Sequence, residues 1–207
     1  MSLIIRIFCI AIIFVWSCGS ALAEGELKYA EMGDFILESG NVIKDCRLGY
    51  RTYGKMNAGK SNIVLFPTWF MGTSEELFSL GFVGAGKLVD TEKFFVIAFD
   101  SIGNGVSSSP SNSKKQPGSL FPDFSLKDMV RAEYMLLTEH LNINRIHAVV
   151  GISMGGMQAL QWIVSYPDFM RKAVSISGTT KMTAHDLLIW QTEIYTINAA
   201  LNCKKDG

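Results

Sequence analysis

Apolar residues along the chain follow two patterns, and the change comes near residue 62. Before it, residues 47–53 carry strand-forming side chains, and Gly54 and residues 57–59 supply turns, which predicts antiparallel β structure over residues 24–62. After it, the chain contains short unbroken apolar runs of the kind that form strands buried in a parallel sheet. These runs are residues 63–66, 94–99, 146–150 and 174–176.

The segments between the later strands have the period of helices. Ser125 and Asp128 form a helix-start pattern, and apolar residues then recur every three or four positions. A second helix is predicted over residues 154–166, where Pro167 ends it, and a third over residues 182–201. Strands that alternate with helices predict an α/β fold with a mostly parallel sheet and flanking helices.

The first 23 residues differ from the rest of the chain. An apolar run at residues 7–16 follows one early charge, Arg6, and small residues then end in Ala21-Leu22-Ala23. This order predicts a secretory signal peptide over residues 1–23. The mature domain, residues 24–207, is then expected to be secreted or periplasmic, with no membrane contact after cleavage.

Two other interpretations compete with the signal peptide. A membrane anchor needs ~20 apolar residues to cross a bilayer, and the uninterrupted run here is shorter. A lipoprotein site at Cys18 is disfavoured by the bulky Trp16 just upstream.

Composition narrows the classes of function. With 48% hydrophobic and 18% charged residues, the chain has the make-up of one ordinary globular domain. A formal net charge of zero argues against nucleic acid as a partner. The three histidines are scattered without metal-ligand spacing, so no metal is expected. Beyond the signal segment, Cys46 and Cys203 either form a disulfide or remain two buried thiols.

A five-residue motif carries the clearest chemical signal. Residues 151–155, Gly-Ile-Ser-Met-Gly, match G-x-S-x-G directly between a predicted buried strand and a predicted helix. Such a turn projects the serine hydroxyl above the sheet edge, and its glycines leave room for the sharp bend. This context predicts that Ser153 is a catalytic nucleophile in a nucleophile elbow. The alternative is a strand-to-helix turn in which Ser153 only caps the helix.

An acyl-transfer serine also needs hydrogen-bond donors for the oxyanion. One donor is expected from the backbone N–H of Met154, the residue after the nucleophile. The second is expected from the loop after residues 63–66, where Pro67 has no N–H and Trp69 or Phe70 is the candidate. An apolar lining role for the two aromatic residues is compatible with the donor role.

Longer motifs surround the elbow and carry a family resemblance. They are Tyr50-Arg51-Thr52-Tyr53-Gly54, residues 100–105 (DSIGNG), residues 107–110 (SSSP), Phe121-Pro122, Arg131-Ala132, residues 151–162 (GISMGGMQALQW) and Tyr166-Pro167-Asp168. From about residue 50 onward the chain resembles the homoserine O-acetyltransferases of the α/β-hydrolase superfamily. The resemblance implies that fold, Ser153 as nucleophile, and ping-pong transfer of an acyl group from a small-molecule donor to a small-molecule acceptor. Acetyl-CoA is then a possible acyl donor, homoserine the acceptor, and no bound cofactor is implied.

Several other residues are candidates for a chemical or structural role. Thr68 stands where the resembling family often has a histidine, so the oxyanion loop is a variant. Residues 81–87 nearly match a phosphate-binding loop, but Leu88 replaces the required Ser or Thr, which favours a turn. Asp100 precedes Ser153 although this fold places its catalytic acid after the nucleophile, so we interpret it as a turn residue. Met154 and Met157 are expected to line the core and the pocket.

The base and acid that a serine needs are not evident. The expected order is Ser, then Asp or Glu, then His, and His185 is the only histidine after Ser153. It lies at the start of a predicted helix beside Asp186, so we interpret it as a surface residue; His140 and His147 precede the elbow. We therefore expect the chain to stop before the domain is complete, with its C-terminal strands missing. Poor turnover and association through the incomplete sheet edge are expected consequences.

The sequence is consistent with three classes of function. Motifs favour an acyltransferase resembling homoserine O-acetyltransferase, whereas the signal peptide favours an exported serine hydrolase, because acetyl-CoA is a cytoplasmic substrate. A catalytically inactive fragment is the third.

The signal peptide generates the first testable prediction. Cleavage after Ala23 should give a mature protein that begins at Glu24, because Ala21 and Ala23 supply the small side chains of the site. N-terminal sequencing of protein recovered outside the cytoplasm measures this. An intact Met1 in that material would show that the segment is retained.

Overall fold

The computed structural model describes residues 25–203, with side chains up to residue 200. The predicted signal peptide therefore lies outside the described residues, as does the side chain of Cys203.

A six-stranded sheet forms the centre of the fold, with helices on its faces. Its strands are β1 (Lys28–Ile36), β2 (Val42–Tyr53), β3 (Ile63–Pro67), β6 (Phe95–Phe99), β7 (Ile146–Ile152) and β8 (Met170–Ile176). Two short strands, β4 (Val83–Gly84) and β5 (Val89–Asp90), form a separate parallel pair. The helices are α1 (Ser74–Ser79), α2 (Leu126–Met135), α3 (Met154–Ser165) and α4 (Ala184–Cys203).

Strand order explains where a site can form. The order is β1-β2-β6-β3-β7-β8, with antiparallel pairing from β1 through β2 to β6 and parallel pairing from β6 onward. This confirms the predicted α/β-hydrolase-type architecture with an antiparallel start and a mostly parallel sheet. The carboxyl ends of four parallel strands consequently meet at one edge, where ligands of such sheets bind.

The central strands are buried on both faces, as their unbroken apolar runs predict. Every residue of β3 is buried, and helices cover the sheet on both sides. Trp162 of α3 is the largest fully buried side chain. Burial of apolar surface at about 25 cal/mol per Å² is the main force that holds these layers together.

Strand β8 and helix α2 differ from the sequence prediction. Strand β8 starts at Met170, not at residue 174, because Arg171 and Lys172 interrupt the apolar run while their backbone still pairs with β7. Helix α2 begins with the predicted Ser125–Asp128 capping box and then widens into a π-helical turn, Leu136–His140.

Three features of the described residues concern the predicted thiols, metal binding and membrane spans. Cys46 is a free, buried thiol, and burial raises its pKa to about 12. Among residues 25–203 no group of His, Cys, Asp or Glu is arranged to hold a metal ion. No helix in that same range is long and apolar enough to cross a membrane.

Glu133 of α2 is a fully buried carboxyl group with an unusual environment. Its Oε2 accepts a hydrogen bond from the indole N–H of Trp162, and its Oε1 has no partner among the described residues. Burial raises the pKa of Glu133 from its ordinary value of 4.5 to about 8, so the carboxyl is neutral at neutral pH.

This burial predicts a pH-dependent stability. The unfolded chain releases the Glu133 proton near pH 4.5, and the folded chain holds it until about pH 8. The free energy of unfolding should therefore fall between these values, by on the order of 3–5 kcal/mol, and level off above them. Glu133→Gln removes this titration and should flatten the profile measured by urea unfolding at several pH values. Exposed Glu139→Gln is the control, and a Glu133→Gln profile as steep as that of the control would refute the assignment.

Candidate active site

Ser153 lies at the sharp turn between β7 and α3. Its backbone has φ 57° and ψ −121°, a conformation that costs a non-glycine residue ~1–3 kcal/mol and clusters at functional sites. The side chain is exposed and makes no hydrogen bond that caps α3. The alternative role as a simple helix cap is therefore wrong, and the hydroxyl is presented at the carboxyl edge of the sheet.

The glycines of the motif are required by close backbone contacts. A Cβ on Gly151 would lie 1.9 Å from the carbonyl oxygen of Gly155, inside the turn itself. A Cβ on Gly155 would lie 2.5 Å from the carbonyl oxygen of Pro67, at the end of β3. The elbow is also tied to β8, because the Ser153 amide donates to the Ile176 carbonyl at 2.9 Å.

The predicted oxyanion donors flank this turn. Met154 is the first residue of α3, whose initial N–H groups have no intrahelical acceptor and carry the positive end of the helix dipole. Trp69 and Phe70 lie in the loop after β3, and both line the same cavity as Ser153 and Met154. The structure thus brings together all four residues predicted for the site.

An apolar cavity of about 670 Å³ opens beside Ser153. Ser153 is the only polar residue among the described residues that line it. Met154 and Met157 contribute as predicted, and the ring of Trp190 from α4 packs edge-on against Phe70 with centroids 5.5 Å apart. The other lining residues are Trp69, Phe124, Leu126, Met129, Met182 and Ile194.

Asp100 has a structural role, as its position before Ser153 suggested. Its carboxylate accepts hydrogen bonds from the amide and hydroxyl of Ser74 and from the side-chain amide of Asn104. Burial raises the pKa of Asp100, and these hydrogen bonds act in the opposite direction. Asp100 thereby joins the end of β6 to the start of α1.

No histidine reaches the Ser153 hydroxyl among the described residues. His185 is exposed near the start of α4, and its neighbour Asp186 is engaged at the helix start by the amide and hydroxyl of Thr183. His147 lies near the opposite end of β7, 5.1 Å from the ring of Phe94. His140 ends the π-helical turn.

The glycine-rich segment at residues 81–87 follows α1, contains the two-residue strand β4 and turns toward β5. The Gly86 amide in this turn donates to the Asp90 carboxylate at 3.1 Å, which agrees with the turn that the sequence indicated.

Sequence reasoning missed one buried residue of the site, Gln158. It lies on α3 one turn after the elbow, is fully buried, and hydrogen-bonds to the loop that carries Trp69. Its signal in the sequence was weak, because Gln158 is one of two glutamines in the otherwise mostly small and apolar helix α3.

The chain matches a known protein family. Residues 62–194 match the family described as alpha/beta hydrolase fold. The chain belongs to this family. The matched region includes β3 with its loop, the elbow and about the first half of α4.

Curated relatives fall into two groups. The chain is 40% identical over 182 residues to the probable esterase Cgl0839 of Corynebacterium glutamicum, covering 87% of this chain and 52% of the relative. It is 39% identical over 177 residues to an ethyl acetate hydrolase of Pseudomonas veronii, covering 84% and 50%. It is 38% identical over 179 residues to a homoserine O-acetyltransferase of Methanosarcina acetivorans, covering 78% and 32%. The predicted resemblance to homoserine O-acetyltransferases is confirmed, and esterases match more of the chain.

A solved structure agrees with these relatives. An acetylester hydrolase from Corynebacterium glutamicum superposes with a TM-score of 0.79 at 40% identity, covering 84% of this chain and 50% of that one. The chain spans about half the length of the relatives it matches first.

The packing of the elbow against β3 predicts the effect of one methyl group. Gly155→Ala should destabilise the fold by ~1–3 kcal/mol or displace the loop after β3, because the new Cβ meets the Pro67 carbonyl oxygen at 2.5 Å. Urea unfolding measures this. Gly59→Ala is the matched control, since its Cβ would have only Asn57 Oδ1 nearby, at 4.0 Å. Equal stability of the two variants would show that the elbow and β3 are not in close contact.

Proposed function

We propose that this chain carries the nucleophile and oxyanion hole of a serine ester hydrolase that acts on small, uncharged esters. The apolar cavity at Ser153 is the observation that carries the proposal. An apolar lining accommodates an alkyl ester without burying an unpaired charge, whereas a charged substrate needs partners inside the pocket.

The chemistry begins with attack of the Ser153 hydroxyl oxygen on the ester carbonyl carbon. The serine proton passes to a general base, and the backbone amides of Met154 and of Trp69 or Phe70 stabilise the oxyanion. The C–O bond to the alcohol then breaks, and the base returns the proton to the departing alcohol. Water repeats the sequence on the acyl-enzyme, which releases the acid and regenerates Ser153.

The general base must come from outside the described residues. Ser153 meets no histidine within residues 25–203, and in this fold the acid and the histidine follow the nucleophile in chain order. An oxyanion hole without a base leaves a residual ~10³-fold rate enhancement over water, far below that of a complete triad. We therefore propose that full turnover depends on a histidine–acid pair that these residues do not supply.

Acyl transfer to homoserine is the second candidate. The motif at residues 151–162 and the 38% identity to a homoserine O-acetyltransferase favour it. Homoserine carries an ammonium and a carboxylate, and acetyl-CoA carries phosphates. The described lining of the cavity offers no charged side chain for any of these groups, which is why we rank hydrolysis first.

Export agrees better with hydrolysis than with transfer. We propose that the protein acts outside the cytoplasm, on the basis of the signal-peptide pattern at residues 1–23. Small esters and water are available there, and acetyl-CoA is not.

Two assays on the protein expressed from its whole reading frame test the proposal. With p-nitrophenyl acetate we expect acetate and p-nitrophenol in equal amounts, and with acetyl-CoA and homoserine we expect little acetyl transfer. Faster transfer to homoserine than hydrolysis of the ester would reverse the ranking.

The nucleophile can be tested on the same material. A fluorophosphonate adduct should map to Ser153 by peptide mass spectrometry, and Ser153→Ala should abolish both the adduct and turnover. The substitution should leave the melting temperature nearly unchanged, because the hydroxyl is exposed and caps nothing. Ser119→Ala, at another exposed serine, is the control. Labelling that survives in Ser153→Ala would rule out the assignment.

A further inference from the structure

We propose that Gln158 is a positioning residue that holds the Trp69 amide in the oxyanion hole of Ser153. Of the two predicted second donors, Trp69 is the one whose N–H belongs to the peptide that Gln158 holds. This inference rests on the proposed function of Ser153.

Gln158 connects α3 to the loop after β3 through a buried hydrogen-bond network. Its side-chain Nε2 donates to the Thr68 carbonyl at 3.2 Å and contacts the Ser101 hydroxyl at 3.1 Å. The same nitrogen lies 3.4 Å from the carbonyl oxygen of Met154. Gln158, Thr68 and Ser101 are all fully buried, so these bonds are shielded from water.

The bond to Thr68 acts on Trp69 through a shared peptide unit. The Thr68 carbonyl and the Trp69 N–H belong to the same planar trans peptide, in which C=O and N–H point in opposite directions. A donor that fixes the direction of the Thr68 carbonyl therefore also fixes the direction of the Trp69 N–H. Within residues 25–203 that N–H donates to no other acceptor, and Trp69 lines the Ser153 cavity.

Thr68 is fixed at its other polar atoms as well. Its amide donates to the Phe99 carbonyl at 3.1 Å, and its hydroxyl oxygen accepts from the Ser101 amide at 3.1 Å. The peptide between Thr68 and Trp69 is thus held by β6, by the loop after β6 and by α3. Only the Gln158 contact comes from the helix that also carries the Met154 amide, so it couples the positions of the two donors.

The expected consequence for catalysis is a lower kcat. An oxyanion hole works because its donors are in place before charge develops, and loss of one donor costs about 10²–10³-fold in kcat. Without the Gln158 amide the Thr68 carbonyl keeps only the longer hydrogen bond from the Ser101 hydroxyl, at 3.4 Å, and we expect the Thr68–Trp69 peptide to be held less firmly. The expected loss is then in kcat, with KM little changed, because the substrate carbonyl is bound weakly before attack.

Gln158→Met tests this, because methionine has nearly the same shape without a hydrogen-bonding amide. In protein expressed from the whole reading frame we expect kcat for p-nitrophenyl acetate to fall about 10- to 100-fold, with KM within about threefold of wild type. Gln161→Met is the matched control on the same helix, where the amide bonds only to the Ser165 hydroxyl; it should keep wild-type kcat. Gln158→Glu keeps the length of the side chain but replaces Nε2 with an oxygen. It should lower kcat as Gln158→Met does, so either variant can test the proposal if the other folds poorly.

A second measurement does not depend on activity. The backbone amide resonance of Trp69 in a ¹⁵N–¹H spectrum should shift or broaden in Gln158→Met and stay unchanged in Gln161→Met. An unchanged Trp69 resonance, or a kcat within twofold of wild type, would overturn the proposal. Absence of ester hydrolysis in the wild-type protein would instead count against the proposed function, and the Trp69 resonance would still decide the role of Gln158.

Discussion

The fit of the start of α3 against the end of β3 is the contact on which the rest of the site depends. Gly155 approaches the Pro67 carbonyl so closely that a single methyl group would not fit between them. That approach places the Met154 amide beside the loop that carries Trp69, and it leaves Ser153 on a strained turn above both. Contacts with β7, β8 and α3 on both sides of the turn hold this conformation in spite of a strain of ~1–3 kcal/mol. The position of the hydroxyl is therefore a property of the sheet as a whole.

Local patterns in the sequence predicted most of this arrangement. The apolar runs predicted the central strands, because strands buried on both faces leave no polar positions. The glycines around Ser153 predicted the elbow, because few other strand-to-helix turns need two glycines at this spacing. Strand β8 was predicted too short, since its first residues include Arg171 and Lys172 and pair with β7 through backbone atoms that leave no trace in side-chain composition.

Contacts between distant parts of the chain could not be predicted in the same way. Gln158 meets Thr68 across 90 positions, and Glu133 meets Trp162 across 29, and neither pairing has a local signal. The composition of the cavity depends on where α4 lies, because Trp190 closes it against Phe70. Chemistry that depends on these long-range contacts, including the proposed preference for uncharged substrates, could be inferred only from the three-dimensional arrangement. The comparisons with known proteins identify the family but do not distinguish hydrolysis from acyl transfer. The proposal of hydrolysis therefore rests on the lining of the pocket.

A crystal structure of the protein after reaction with a small alkyl phosphonate tests the central claim most directly. The account predicts a phosphorus–oxygen bond to Ser153, with the phosphonyl oxygen at hydrogen-bond distance, about 2.7–3.1 Å, from the amides of Met154 and Trp69. The alkyl group should lie in the cavity with Met157 and Trp190. An adduct on another residue, or a phosphonyl oxygen directed away from both amides, would contradict it.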